Sequence, residues 1–113
     1  MNGALQTELT RRLGCRHPVV QTAMGWVADP GLVAATTNAG GFGFLAAAVM
    51  GAGEIGPALS AVRARTAGNF GVNFHMFQPS ADEVIEAILA NRDRVRAVSY
   101  GRGPDARTIA RFK

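Results

Sequence analysis

Four short apolar runs recur along this chain: Val19–Thr22, Phe42–Ala46, Phe70–Phe74 and Val95–Ser99, spaced by about 23–28 residues. Each is followed by a stretch with helical spacing and Gly or Pro punctuation. Strands alternating with helices at this interval can pair in one sheet only if they run parallel, because every crossover must carry a helix. The pattern therefore predicts an α/β fold of parallel (β/α) units. Four such units make the N-terminal half of a (β/α)8 (TIM) barrel, whose full length is about 250 residues.

The helical stretches carry start and stop signals. Leu5, Leu9 and Leu13 share one face of a short helix closed by Gly14. Asp29 followed by Pro30 predicts a capped helix that runs to Ala39 and stops at a left-handed Gly40. A third helix is expected over Glu54–Arg65, with Pro57 in its first turn. Ser80 and Glu83 have capping-box spacing and open a helix over Ala81–Asn91, with Val84, Ile85, Ile88 and Leu89 on its apolar face. Gly101 and Gly103 predict a loop, and a last helix starts at Pro104. The whole chain, residues 1–113, reads as one half-barrel unit that stops inside that helix. Truncation of a longer protein explains such an ending. A half barrel also leaves its first and fourth strands unpaired, so association into a homo-oligomer, or pairing with another half barrel, is expected.

Strand direction sorts the chemistry. In a parallel barrel, ligands meet the C-terminal ends of the strands, and the N-terminal ends form a floor. Ala23-Met24-Gly25-Trp26, Ala46-Ala47-Ala48, Asn73-Phe74-His75 and Ser99-Tyr100-Gly101 fall on the ligand side. Gly40-Gly41-Phe42-Gly43 falls on the floor. It follows a helix and precedes a strand, the reverse of a phosphate-binding loop, so it reads as a helix stop. Cys15 and His17 also lie on the floor, as an inert core thiol and a packing histidine. Trp26 and Tyr100 are candidates to border the pocket. Asp82, Glu83 and Glu86 sit in the first turns of a helix, where negative charge suits the helix dipole.

Residues Arg16–Pro30 and Asn38–Leu45, read together with Gly71-Val72-Asn73, resemble the N-terminus of the nitronate monooxygenase (2-nitropropane dioxygenase) family. The resemblance implies an FMN-dependent (β/α)8 oxidoreductase. It implies that the main chain of Ala23, Met24 and Gly25 contacts FMN, although Thr22-Ala23 stands where that family usually has Ala-Pro. Asn73 matches the family's Asn beside the flavin. The family's catalytic His and its FMN phosphate site lie beyond residue 113, which leaves His75 as a candidate for substrate contact only. The implied reaction is oxidation of an alkyl nitronate with O2. The same segment also resembles relatives that reduce enoyl-CoA thioesters with NAD(P)H, and a non-catalytic half-barrel subunit is a third reading.

Composition narrows the remaining classes. Hydrophobic residues make up 48% of the chain and charged residues 18%, too apolar for disorder. The net charge of +4 comes from dispersed arginines without interleaved aromatics, which reads as solvated helix faces and not as a nucleic-acid surface. No apolar run is long enough for a membrane span or a signal peptide. A single cysteine suits a reducing, cytoplasmic setting. No metal-ligand spacing is present.

Overall fold

The structure, a computed structural model, describes residues 3–103 and 105–113. After a 3₁₀ turn at Gly3–Leu5 come α1 (Glu8–Leu13), β1 (Val20–Gln21), α2 (Pro30–Asn38) and β2 (Phe42–Ala46). A second 3₁₀ turn spans Ala47–Val49. Then follow α3 (Ile55–Arg65), β3 (Phe70–His75), α4 (Ala81–Ala90), β4 (Val95–Gly101) and α5 (Ala106–Phe112). The strands lie in the order β1-β2-β3-β4, and every neighbouring pair is parallel. This is the α/β architecture expected from the sequence: successive βα units arranged as one half of a (β/α)8 barrel.

Local chemistry explains most boundaries. Asp29 caps α2, its Oδ1 accepting the Leu32 N–H at 2.9 Å, with Pro30 in the first turn. Gly40 follows at φ 97°, a left-handed backbone that ends the helix and turns the chain into β2. At α1 a capping box forms between Thr7 and Thr10, and Gly14 closes the helix in the left-handed conformation. The expected leucine stripe is split and not buried, however: Leu5 lies in the 3₁₀ turn and Leu9 in α1, and both are 45% exposed. Thr10 is the residue α1 buries, and the Arg96 guanidinium donates to the carbonyl of Arg12, tying α1 to β4.

The capping box expected at Ser80 does not form. Ser80 precedes α4, but its hydroxyl donates to the Met50 carbonyl at 2.9 Å and accepts from Gln78 Nε2 at 2.8 Å. A buried hydroxyl gains more from a buried carbonyl partner than from a solvated helix end. β1 is shorter than expected, and β3 and β4 are longer, because their ladder continues through Phe74↔Tyr100 and His75↔Gly101. The expected helix start at Pro104 lies outside the described residues. The observed helix starts at Ala106, capped by Asp105.

The sheet has two unlike faces. Leu45, Phe70, Val72, Phe74 and Val95 face the helices and pack with Val33, Leu59, Val62, Val84, Ile85 and Ile88. Each of the larger side chains contributes roughly 1.5–3 kcal/mol by leaving water. The opposite face carries Val20, Phe42, Phe44, Ala46, Gly71, Asn73 and Ser99, following the register of the pairs. On it the rings of Phe42 and Phe44 meet edge to face, with centroids 5.4 Å apart. They fit because Gly71 has no side chain: a Cβ there would stand 2.5 Å from the Phe44 ring and 2.9 Å from that of Phe42.

Most arginines have structural partners. Arg63 and Asp93 form a bidentate pair at 2.8 and 2.9 Å, which holds the Asp93 carboxyl below its usual range through that hydrogen bond. Arg94 donates to the carbonyls of Thr66 and Gly68. Arg11 and Arg12 pair with Glu8, and Arg111 with Glu86. The expected placement on helix faces holds for Arg11, Arg12, Arg63, Arg65, Arg107 and Arg111, whereas Arg16, Arg92, Arg94, Arg96 and Arg102 lie on loops or on β4.

Gly71→Ala is expected to destabilise the fold by about 1–3 kcal/mol, the usual cost of forcing a methyl into a filled site. Chemical denaturation checks this. An unchanged midpoint would show that the Phe42–Phe44 pair yields freely.

Candidate functional site

The C-terminal ends of the strands gather on one side of the sheet. β1 ends at Gln21, and Thr22–Ala28 forms a tight loop in which the N–H groups of Val27 and Ala28 both donate to the Met24 carbonyl, at 3.0 and 2.8 Å. The Ala46 N–H at the end of β2 donates to the Ala28 carbonyl at 3.1 Å and pins the loop there. Gly25 lets the loop approach the turn after β2, since a Cβ on it would meet Val49 Cγ1 at 3.1 Å. The left-handed residue in this loop is not Gly25 but Trp26, at φ 62°. Its side chain is 85% exposed, and Met24 is 42% exposed.

Next to this loop three residues stand in register across neighbouring strand ends. Ala46 pairs with Asn73, and Asn73 with Ser99. The Asn73 amide donates to Ser99 Oγ at 2.7 Å and to the Ser99 carbonyl at 3.3 Å. These two bonds fix which way the amide turns. Its Oδ1 accepts no hydrogen bond from the described residues. Ser99 as the group that orients Asn73 was not singled out in the sequence, because register is set by a bulge at Phe70/Gly71 that shifts β4 by one residue.

His75 continues on the face of Asn73, exposed, with its ring 3.5 Å from where a Cβ of Gly101 would be. Its backbone N–H donates to Gln78 Oε1, and Gln78 Nε2 reaches the Ala47 carbonyl. Gln78 therefore ties the loop after β3 to the end of β2, a role with no sequence signal. Tyr100, considered as a pocket border, lies on the helix face. It packs on Phe74 with centroids 5.4 Å apart, and its hydroxyl accepts the Asp105 N–H. Strand alternation turns it away from Asn73. Asp105 is held below the usual carboxylate range by the Thr108 hydroxyl and the Arg107 N–H.

The floor residues lie at the other end. The N–H groups of Arg16 and His17 both donate to the Gly40 carbonyl at 2.9 Å, and Phe42 N–H donates to the Val19 carbonyl. His17 packs over Gly40, where a Cβ would meet its ring at 2.8 Å. Cys15 is part-buried and outside the core, its thiol directed to the His17 carbonyl at 3.3 Å. The glycine run thus stops a helix and starts a strand. Among the described residues no cluster of His, Cys, Asp or Glu could hold a metal, and no helix is long and apolar enough to cross a membrane.

The sequence profile of the nitronate monooxygenase family matches residues 6–108, and the chain belongs to that family. It is 45% identical over 109 residues to a 5-hydroxy-7a-methyl-1-oxo-octahydro-1H-indene-4-carboxyl-CoA dehydrogenase of Mycobacterium tuberculosis, covering 96% of this chain and 30% of the relative. It is 30% identical over 86 residues to a probable nitronate monooxygenase of Staphylococcus aureus, covering 76% of the chain and 24% of that protein. A solved structure of a FabK mutant from Thermotoga maritima superposes with a TM-score of 0.86 at 30% identity, over 93% of this chain and 35% of the other. The chain spans less than a third of the length of these curated relatives.

The left-handed backbone at Trp26 makes a stability prediction. A side chain in this conformation costs roughly 1–2 kcal/mol that glycine does not pay. Trp26→Gly should keep or raise the thermal midpoint, and Trp26→Val should lower it. A fall with glycine larger than with valine would mean that the exposed indole stabilises the loop.

Proposed function

We propose that this chain is the N-terminal half of an FMN-dependent (β/α)8 oxidoreductase, in which the main chain of Ala23, Met24 and Gly25 and the side chain of Asn73 contact the flavin. The observation that carries this reading is the strand-end row Ala46–Asn73–Ser99 beside the Thr22–Ala28 loop. A flat ring needs small residues and open backbone, and Ala46, Ser99, Ala23 and Gly25 offer both. It also needs polar partners in its plane. Both N–H groups of the Asn73 amide are held by Ser99, which leaves Oδ1 open as an acceptor for an incoming N–H. The residues present therefore fit the ring portion of FMN. Bound there, the flavin supplies the redox chemistry, and these residues bind it, orient it and shield it from water. The FMN phosphate site and the catalytic His belong, on this reading, to the part of the barrel that follows.

The higher identity to the carboxyl-CoA dehydrogenase favours a CoA thioester as substrate; NAD(P)H is the hydride donor if the reaction is a reduction of an enoyl thioester. Oxidation of an alkyl nitronate with O2, the expectation first drawn from the sequence, is the second reading, and the family assignment favours it. Nicotinamide turnover dependent on an acyl- or enoyl-CoA, set against O2 uptake with a nitronate, separates the two. On either reading the ligands are small molecules, and the lone Cys15 suits a reducing, cytoplasmic setting.

Asn73→Ala in the whole protein is expected to weaken FMN retention several-fold, the scale of one hydrogen bond of about 0.5–1.5 kcal/mol. Cys15→Ser should leave it unchanged. Flavin absorbance after dialysis reads both. Full flavin content in Asn73→Ala would remove the contact from the proposal.

A further inference from the structure

Beside the strand-end row lies a cleft of about 370 Å³, walled by Trp26 and lined by Ala28, Asp29, Ala46, Val49, Met50 and Glu54. It is larger than the ~150 Å³ apolar cavities that hold benzene. Its depth is apolar: Ala28 and Ala46 are buried, and Val49 and Met50 are half-buried. Ala46 is the register partner of Asn73, so the cleft begins one strand away from the Asn73 amide, about 4.8 Å along the hydrogen-bonding direction.

Two helices start at this cleft. Asp29 stands at the N-cap of α2 and Glu54 at the N-cap of α3. Bare helix N-termini would draw an anion. Here each already carries its own carboxylate, and among the described residues neither carboxylate is in an ion pair. An anionic ligand entering the cleft would meet two like charges. Trp26 adds a broad apolar surface that the described residues leave 85% exposed.

We propose that this cleft is a subsite for an uncharged apolar group, with Trp26 as a specificity-determining wall and with Asp29 and Glu54 excluding anions. Its occupant is the apolar acyl part of the thioester substrate. The phosphates of CoA, or the charged carbon–nitrogen group of a nitronate, must then lie elsewhere. Assigning the cleft to a substrate rests on the flavin reading above, whereas its preference for neutral apolar groups does not.

Trp26 is the one tryptophan of these 113 residues, so in the whole protein the fluorescence that is lost in Trp26→Phe reports on this cleft. The test is a titration at neutral pH with cyclohexanol and with cyclohexanecarboxylate, two probes of similar shape and different charge. Cyclohexanol should give a saturable blue shift. The carboxylate should bind at least roughly five-fold more weakly, the scale of one charge–charge contact in water. The double variant Asp29→Asn with Glu54→Gln keeps a capping side chain on α2, and in it the two affinities should converge. No saturable shift with cyclohexanol, or equal affinities in the unmodified chain, would overturn the proposal. So would a gap that persists in the double variant. Flavin absorbance on the same samples is a separate readout. Probe binding in a protein that never takes up FMN would sink the flavin reading alone, and flavin uptake without probe binding would sink the cleft alone.

Discussion

The parallel register of β2, β3 and β4 holds Ala46, Asn73 and Ser99 side by side at one end of the sheet. Parallel pairing gives every strand the same direction, so every loop that leaves a strand emerges on one side, and every glycine that enters one lies on the other. The candidate site follows from that polarity more than from any single residue. The register itself depends on close packing on the face away from the helices. Phe42 and Phe44 fill the space over Gly71, and the bulge at Phe70/Gly71 brings Ser99 opposite Asn73. With β4 one residue out of step, alternation would turn Ser99 toward the helices and leave the Asn73 amide unheld.

The helices make this register rigid. Val33, Leu59, Val62, Val84, Ile85 and Ile88 cover one face of the sheet almost completely. The edges are less well covered. Val19 and Val20 at β1 are 60% and 38% exposed, and β4 borders an open groove between α4 and α5 that includes Val98, Ile109 and Phe112. Edge strands with apolar flanks seek a partner. In a closed barrel both edges and the Phe44 face would be covered by further βα units, which agrees with the greater length of the curated relatives. The loops that carry the site are held by side-chain to main-chain bonds, Gln78 to the Ala47 carbonyl and Ser80 to the Met50 carbonyl. These bonds link the ends of β2 and β3 without crossing the region in front of Asn73.

Much of this was legible in the residues, because the strongest signals were backbone signals. Asp29-Pro30 and Gly40 bounded α2, and the run Phe42–Ala46 matched β2 residue for residue. The strand polarity that separates Asn73 from Gly41 needed only the order of helix and strand. Misreadings arose where a side chain had two partners to choose from. Ser80 has capping-box spacing, yet a buried carbonyl brought close only by the tertiary fold wins its hydroxyl. Thr7 and Thr10 form a capping box that the usual Glu or Gln signature does not reveal. The left-handed residue of the loop after β1, Trp26, carries no sequence signal, since glycine is the usual residue at such a position. Tyr100 went to the helix face because β4 runs two residues beyond its apolar stretch.

The claim on which the functional reading turns is that the flavin lies against the loop after β1 and the end of β3. Amide hydrogen exchange of the whole protein, with and without FMN, measures this most directly. Bound flavin should slow exchange in segments 22–26 and 72–75 and leave segment 39–43 unchanged. Protection centred on Gly40–Gly43, or none in the loop after β1, would contradict it.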